Sequence, residues 1–332
     1  MNLTTFAFDW LVRSLAVGGI AAAAVFACPA AWRGSVRRAV PFTAFLALLL
    51  LPLGALAPVK INVATSFALP AGAAAKFDWL ALLWLTGVLV CLARIASGAH
   101  AIRALMRDTC AVPGEDWADC LAAAKTTLGL RGKIHLRLAG PGFIPSATGL
   151  LRRTILLPDE ALRWTAEQRR LVLLHELGHF RRGDLWIHAL GRVACALHWF
   201  NPFAWMLQQL LSVEREYAVD ALVVKHGISP KAYATVLWQM AKAATRRPAA
   251  AAAYLAMAQQ QPGKLEQRVQ RILAPERGKG RIFRLLDAAI CLAVTALFIL
   301  CTACRPSAQA HPSDYTPGEI ELRLAADPFP GE

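Results

Sequence analysis

Four long apolar runs, separated by polar and mostly basic stretches, dominate the pattern of the chain. Trp10 to Trp32, Ala39 to Val59, Trp79 to Ile102 and Leu285 to Ala303 each approach the roughly 20 residues that a helix needs to cross a bilayer. They predict four transmembrane helices, at about 10–32, 39–59, 79–102 and 285–303. Tryptophans at both ends of the first run suit the two interfaces, and Arg13 can snorkel from near its end. Pro52 and Gly54 in the second run are tolerable in a membrane helix. No Lys or Arg precedes the first run, whereas a cleaved signal peptide has a positive start, so this run reads as an uncleaved helix.

Basic residues set the expected orientation. Arg33 to Arg38, the cluster Arg94, Arg103 and Arg107, and Lys279 to Arg284 mark the cytoplasmic side by the positive-inside rule. Both termini and the loop Lys60 to Asp78 are then external. The division that follows is three helices in 1–104, a cytosolic domain in 105–240, a basic connector in 241–284, the fourth helix, and a short external tail in 304–332.

Within the cytosolic stretch the period changes. Glu115 to Leu130 has helical spacing, and Lys133 to Leu138 alternates as a strand does. Phe143 to Pro158 reads as two short strands joined by a turn at Gly149 to Arg153. Strands followed by helices make an α+β domain. The connector is rich in Ala, Gln and Arg, with Leu265 to Leu273 as its clearest helix. Its basic residues are expected to face water or anionic lipid.

A chain of 332 residues that is 56% hydrophobic and carries a net charge of +14 is unusual for a soluble protein. The charge lies beside apolar runs and in no recognisable nucleic-acid motif, so membrane lipid, and no nucleic acid, is the expected partner. The cysteines at 28, 91, 110, 120, 195, 291, 301 and 304 are scattered and imply no disulfide framework.

The candidate chemistry lies in Leu171 to Asp184, which contains His175-Glu176-Leu177-Gly178-His179. On a helix, histidines at i and i+4 project from one face and can bind one zinc ion, while the adjacent carboxylate can take a proton from a water on the metal. Thr165 and Gln168 have the spacing of a capping box ahead of the apolar run. Five matching residues also fit a histidine-bearing core helix, so a third ligand is needed. Glu216, 37 residues after His179, offers one. Asp220, one turn further on the same face, can fix the tautomer of a ligand histidine. A third histidine ligand of the HExxHxxGxxH type is excluded, because Arg182 and Leu185 stand at its Gly and His positions.

This ligand set bears on topology. Leu185 to Leu211 is apolar enough to read as a further crossing, but Asn201-Pro202 interrupts it. A single crossing would also put Glu216 across the membrane from the histidines. Two helices of about 15 residues, each too short to span, are therefore expected as a hairpin that packs on the domain or dips into the interface.

The runs PDEALRWTAEQRRLVLLHELGHFRRGDLWIHAL, WFNPFAW and EREYAVDALVV resemble the membrane metallopeptidases of the BlaR/MecR family, as do GFIPSATGLLRRTILLP and LEQRVQRIL. The resemblance covers roughly residues 1–304. It implies a gluzincin-type protease of the bacterial cell membrane: His175, His179 and Glu216 as zinc ligands, Glu176 as catalytic base, Asp220 behind the ligands, and Asp184 in a supporting or helix-terminating role. It further implies a protein substrate such as a repressor of the BlaI/MecI type, a homodimer, and a substrate backbone that pairs with one of the strands in Phe143 to Leu157. The β-lactam sensors of the family carry an external penicillin-binding domain with Ser-x-x-Lys. The 28 residues from Arg305 onward contain no lysine and only Ser307 and Ser313, so covalent β-lactam binding is not expected.

Two other functions fit the same motifs: a quality-control protease of the HtpX type, and a sensor or scaffold whose zinc is only structural. Glu176 has no role in the latter. His188 and His198 read as packing residues of the apolar hairpin, Cys301 and Cys304 as small residues at a helix end, and His135 as a residue on the polar face of its strand. Tyr217, His226 and Arg215 are near Glu216 in sequence as candidates to stabilise an oxyanion.

Overall fold

The computed structural model describes residues 3–26, 33–50, 61–64, 79–107, 109–141, 143–245, 265–274 and 304–307, with the isolated positions 289, 292 and 296. It begins with α1 (Leu3–Phe26) and α2 (Arg33–Leu50). The second helix starts six residues before the expected Ala39, because the basic stretch Arg33 to Arg38 holds no proline and Arg is a good helix former. A short strand, β1 (Ile61–Ala64), precedes α3 (Trp79–Arg107), which runs five residues past the expected Ile102.

Among the described residues one helix is long and apolar enough to cross a membrane, Ala81–Arg107. Only 6% of its apolar window is buried in the protein, which is the opposite of a core helix in a soluble domain. Leu82, Leu85, Leu89 and Leu92 are all exposed on it. The first two runs give shorter apolar helices, Trp10–Phe26 and Val40–Leu49, so the expectation of three full N-terminal spans is met by one. The expected fourth span lies outside the described residues except for Ala289, Leu292 and Ala296, which are helical.

The domain that follows is built on a four-stranded sheet with β2 (Cys110–Ala111), β3 (His135–Leu138), β4 (Ser146–Thr148) and β5 (Thr154–Leu157), in the order β2-β3-β5-β4. Only β3 and β5 run parallel; the outer pairs are antiparallel. The hairpin read from Phe143 to Pro158 is present. Gly149 makes its turn at φ +85°, where a Cβ would lie 2.0 Å from the Arg152 carbonyl oxygen. β4 is an edge strand, while β5 is buried along its whole length. The two residues of β2 are too few to leave a pattern in the sequence, and neither they nor the 3₁₀ turn at Asp159–Arg163 were expected.

Four helices complete this part: α4 (Glu115–Leu128), α5 (Ala166–Arg182), α6 (Asp184–Leu197) and α7 (Pro202–Lys225). Leu171, Leu173, Leu174 and Leu177 of α5 are fully buried and pack with Ile155 and Leu157 of the sheet and Trp117 and Leu128 of α4. Downstream, α8 (Pro230–Thr245) and α9 (Leu265–Leu273) pack on each other and on the same core through Tyr233, Val236 and Ile272. A last strand, β6 (Cys304–Ser307), pairs in parallel with β1, Ile61 opposite Cys304.

The apolar hairpin is broken at Asn201-Pro202 as the sequence predicts, but it differs from expectation in two ways. Its second arm is not a separate short helix. With no breaker between Pro202 and Gly227, α7 runs 24 residues and carries Glu216 and Asp220 itself. The hairpin also packs beyond the domain, because its tip inserts among α1, α2 and α3. Asn201 accepts from the Phe203 N–H (3.0 Å) to cap α7, and its Nδ2 donates to the Ser14 carbonyl (2.8 Å) and hydroxyl (2.9 Å). Trp10 Nε1 donates to His198 Nδ1 (3.1 Å), so His198 Nε2 carries the proton and donates to the Leu48 carbonyl (3.0 Å). Trp84 Nε1 donates to the Leu197 carbonyl (3.0 Å), and Gly87 lets Trp199 lie flush against α3. His198 is thus a packing residue, and His188 likewise pairs with Gln208 (3.1 Å).

Asn201→Ala removes the cap and two buried bonds to Ser14 at once. A lost cap costs about 1 kcal/mol and a buried unsatisfied partner about 1–3 kcal/mol more. The expected result is a clear fall in the thermal midpoint of the detergent-solubilised protein; an unchanged midpoint would mean that the tip does not hold the hairpin to α1.

Candidate metal centre

The helix α5 is fixed at both ends. Thr165 accepts from the Gln168 N–H (3.2 Å) and Gln168 accepts from the Thr165 N–H (2.9 Å), which completes the capping box, and Gly183 closes the other end at φ +71°. Every residue from Leu171 to Phe180 is buried, so the histidines are held inside the domain. They face α7, which comes close because position 178 is glycine. A Cβ there would meet Val219 Cγ1 at 2.8 Å.

This approach brings three donors together. His175 Nε2 is 3.5 Å from Glu216 Oε2, and His179 Nε2 is 3.8 Å from Glu216 Oε1. All three donor atoms lie within 4.8 Å of one another. Tetrahedral zinc with bonds of about 2.0–2.1 Å separates its ligands by roughly 3.3 Å, and zinc takes N and O donors of this kind. The residues fit the ion.

Each imidazole is oriented through its far nitrogen. Asp184 Oδ2 is 3.0 Å from His179 Nδ1, which donates to it and leaves Nε2 free toward Glu216. Asp184 also accepts from Arg182 Nε (3.3 Å). For His175 the expectation of a direct bond to Asp220 is corrected: those atoms are 3.5 Å apart, too far for a good hydrogen bond. Tyr233 stands between them. Its hydroxyl donates to Asp220 Oδ1 (2.6 Å) and accepts from His175 Nδ1 (2.8 Å).

Behind Asp220 lies Arg268 of α9. Its Nε and Nη2 donate to the two Asp220 oxygens (2.9 and 2.8 Å), and Nη1 is 3.3 Å from Glu216 Oε2. Here the reading of the connector's basic residues as facing water or lipid fails for Arg268, which turns inward with only 14% of its side chain exposed. Burial alone would lower its pKa, but the Asp220 and Glu216 carboxylates outweigh that and raise it.

Glu176 is buried outside the donor cluster, and its Oε2 accepts from the Ala147 N–H of edge strand β4 at 2.7 Å. Of the three oxyanion candidates, Tyr217 donates to Gln267 (3.1 Å), His226 Nδ1 binds its own helix at the Leu222 carbonyl (2.8 Å), and Arg215 lies 3.3 Å from Glu216 Oε1. Tyr233, Arg268 and Ala147 were missed from sequence. The first two had a signal: Tyr233 shares the apolar face of α8 with Val236, Leu237 and Met240, and Arg268 lies on the face of α9 marked by Leu265, Val269 and Ile272. A polar tip on an apolar face needs a buried partner.

The charges follow from these contacts. Burial would raise the Glu216 pKa, but His179, Arg268, His175 and Arg215 hold it well below the usual carboxylate range. Burial would lower His175; the hydrogen bond to Glu216, aided by Glu176 and Asp220, overcomes that and raises it above its ordinary value. Burial and the Asp220 charge push the Tyr233 hydroxyl well up, so it remains a donor. A raised His175 pKa stabilises the metal-free fold below the ordinary histidine value of about 6.5, and this contribution is lost as pH rises through the raised value. A metal ion binding at His175 would have to displace that proton. Zinc affinity is expected to fall about tenfold per pH unit below the raised value, one proton being released per ion. Calorimetric titration between about pH 6 and 8 checks this, and a flat profile would contradict it.

Two histidines and a carboxylate converging inside a helical core, beside a glutamate tied to a sheet edge, form the arrangement of a peptidase. The chain belongs to the BlaR1 peptidase M56 family, which its residues 22–272 match. Regulatory protein BlaR1 of Bacillus licheniformis is similar to it, 27% identical over 143 residues that make up 43% of this chain. The match spans about a quarter of that relative, 24% of its length.

Proposed function

We propose that this protein is a zinc-dependent endopeptidase of the bacterial cell membrane that acts in signal transduction, cleaving a cytosolic protein such as a transcriptional repressor of the BlaI/MecI type, or itself. The observation that carries the reading is the convergence of His175, His179 and Glu216 within 4.8 Å, with Glu176 beside them on the next face of α5. Zinc at these donors would supply Lewis-acid activation of a water and a peptide carbonyl. His175 and His179 would hold it through Nε2, their tautomers set by Tyr233 and Asp184. Glu176 accepts the proton of the attacking water and returns it to the leaving amine. β4 is the edge strand beside the centre, and an extended substrate pairing on it would take the Ala147 N–H from Glu176.

The reading includes four spans, with the body of 105–240 and the connector on the cytosolic side, the apolar hairpin re-entering between α1, α2 and α3, and both termini outside. Two observations support it. The expected outer loop and the segment after the expected fourth span lie side by side as β1 and β6. The hairpin tip touches α1, α2 and α3 at the ends assigned to the outside, and Glu216 lies 14 residues up α7 from Pro202. That is about 21 Å at 1.5 Å per residue, which favours a metal centre near the inner membrane boundary and substrates presented there.

The test is accessibility. A cysteine placed at position 216 should resist an impermeant thiol reagent added from outside intact cells and react once the cells are opened. Labelling from outside would overturn both the topology and the ligand set.

A further inference from the structure

Arg268 belongs to a short helix that is far along the chain from both histidines, yet it meets two of the acidic groups around them. Its fork spans both oxygens of Asp220 and its third nitrogen reaches Glu216. The rest of α9 is attached by Ile272, which is buried, by Val269 packed on the same core, by Gln267, which accepts from Tyr217 (3.1 Å), and by Arg271 over the Tyr217 ring (4.4 Å) near Glu214 (3.9 Å). A helix of nine residues is marginal by itself, so α9 keeps its place through Val269 and Ile272 on the core and through these polar contacts. It docks because of what it binds.

We propose that Arg268 is a positioning residue of the metal centre, and that the docking of α9 completes the centre, so that any movement which withdraws α9 disassembles the ligand set. The inference rests on the zinc-peptidase reading above. Asp220 orients Tyr233, and Tyr233 orients His175. Arg268 fixes Asp220 with bidentate geometry, which a lysine cannot reproduce, and steadies Glu216 directly. Without it two buried carboxylates lose their shared cation, and both Tyr233 and Glu216 are free to turn. α9 is followed in the chain by the expected fourth span and then β6, which pairs with β1.

The test is zinc retention by the full chain in detergent during dialysis against a chelator of graded strength, with zinc as the probe. Arg268→Met is expected to weaken retention by roughly 10–100-fold, the usual range for groups that support a metal ligand, and Arg268→Lys to restore part of it. In an Asp220→Asn background the further loss from Arg268→Met should shrink to less than about threefold, because the two act as one unit. Ile272→Asp, which undocks α9 and leaves the guanidinium intact, should lose zinc as Arg268→Met does, whereas Gln270→Ala on the exposed face should not. Wild type that holds zinc together with an Arg268→Met protein that holds it equally overturns this inference alone. Ile272→Asp with wild-type retention overturns the role of docking. Wild type without zinc overturns the metal-site reading and this inference with it.

Discussion

Glu176→Ala is expected to keep its zinc and lose its cleavage activity. The carboxylate lies outside the donor cluster, tied to the Ala147 N–H at 2.7 Å, so its removal takes no bond from the ion. What disappears is the general base, whose contribution is typically 10²–10⁴-fold. Mass spectrometry of new peptide termini in native membranes, wild type against Glu176→Ala, measures this. Termini that depend on Glu176 and fall in one DNA-binding protein, or in residues 241–284 of this chain, support a signalling protease. Many such termini in damaged membrane proteins would shift the assignment to quality control. Zinc retained with no dependent terminus under any stimulus would favour a scaffold, and zinc lost from Glu176→Ala would mean that Glu176 is a ligand.

Glu216→Ala is expected to have the larger effect on the metal. It removes one of three protein ligands, so the loss of affinity should exceed the roughly 10–100-fold that supporting groups contribute. It also leaves Arg215 without its nearest carboxylate and Arg268 with Asp220 alone; both lie 3.3 Å from the two Glu216 oxygens. Breaking a buried ion pair from one side typically costs about 3–5 kcal/mol, so the variant should melt well below the wild type even when both are metal-free. Metal analysis after dialysis and a thermal scan measure the two effects. One zinc per chain in Glu216→Ala would contradict the ligand assignment.

Local chemistry made much of this structure legible in the sequence. The capping box of Thr165 and Gln168, the turn at Gly149, the break at Asn201-Pro202 and the i, i+4 geometry of His175 and His179 each depend on neighbours within a few residues. Tertiary partners were less visible. That Asp220 reaches His175 through Tyr233 depends on α8 packing beside α5, and that Arg268 enters the site depends on α9 folding back on α7. The connector looked like a solvated basic segment because Ala, Gln and Arg dominate it, while the apolar face of α9 is only three residues long. The hairpin depth was hidden for a similar reason: its polar tip, His198 and Asn201, finds its partners at Trp10, Leu48 and Ser14, more than a hundred residues away.

X-ray absorption at the zinc edge of the zinc-loaded, full-length protein tests the central claim most directly. The account predicts one ion per chain with four N/O neighbours at about 2.0–2.1 Å, the outer-shell scattering of two imidazoles, and loss of the signal in Glu216→Ala. A sulfur neighbour at about 2.3 Å, three or more imidazoles, or an unchanged spectrum in Glu216→Ala would contradict it.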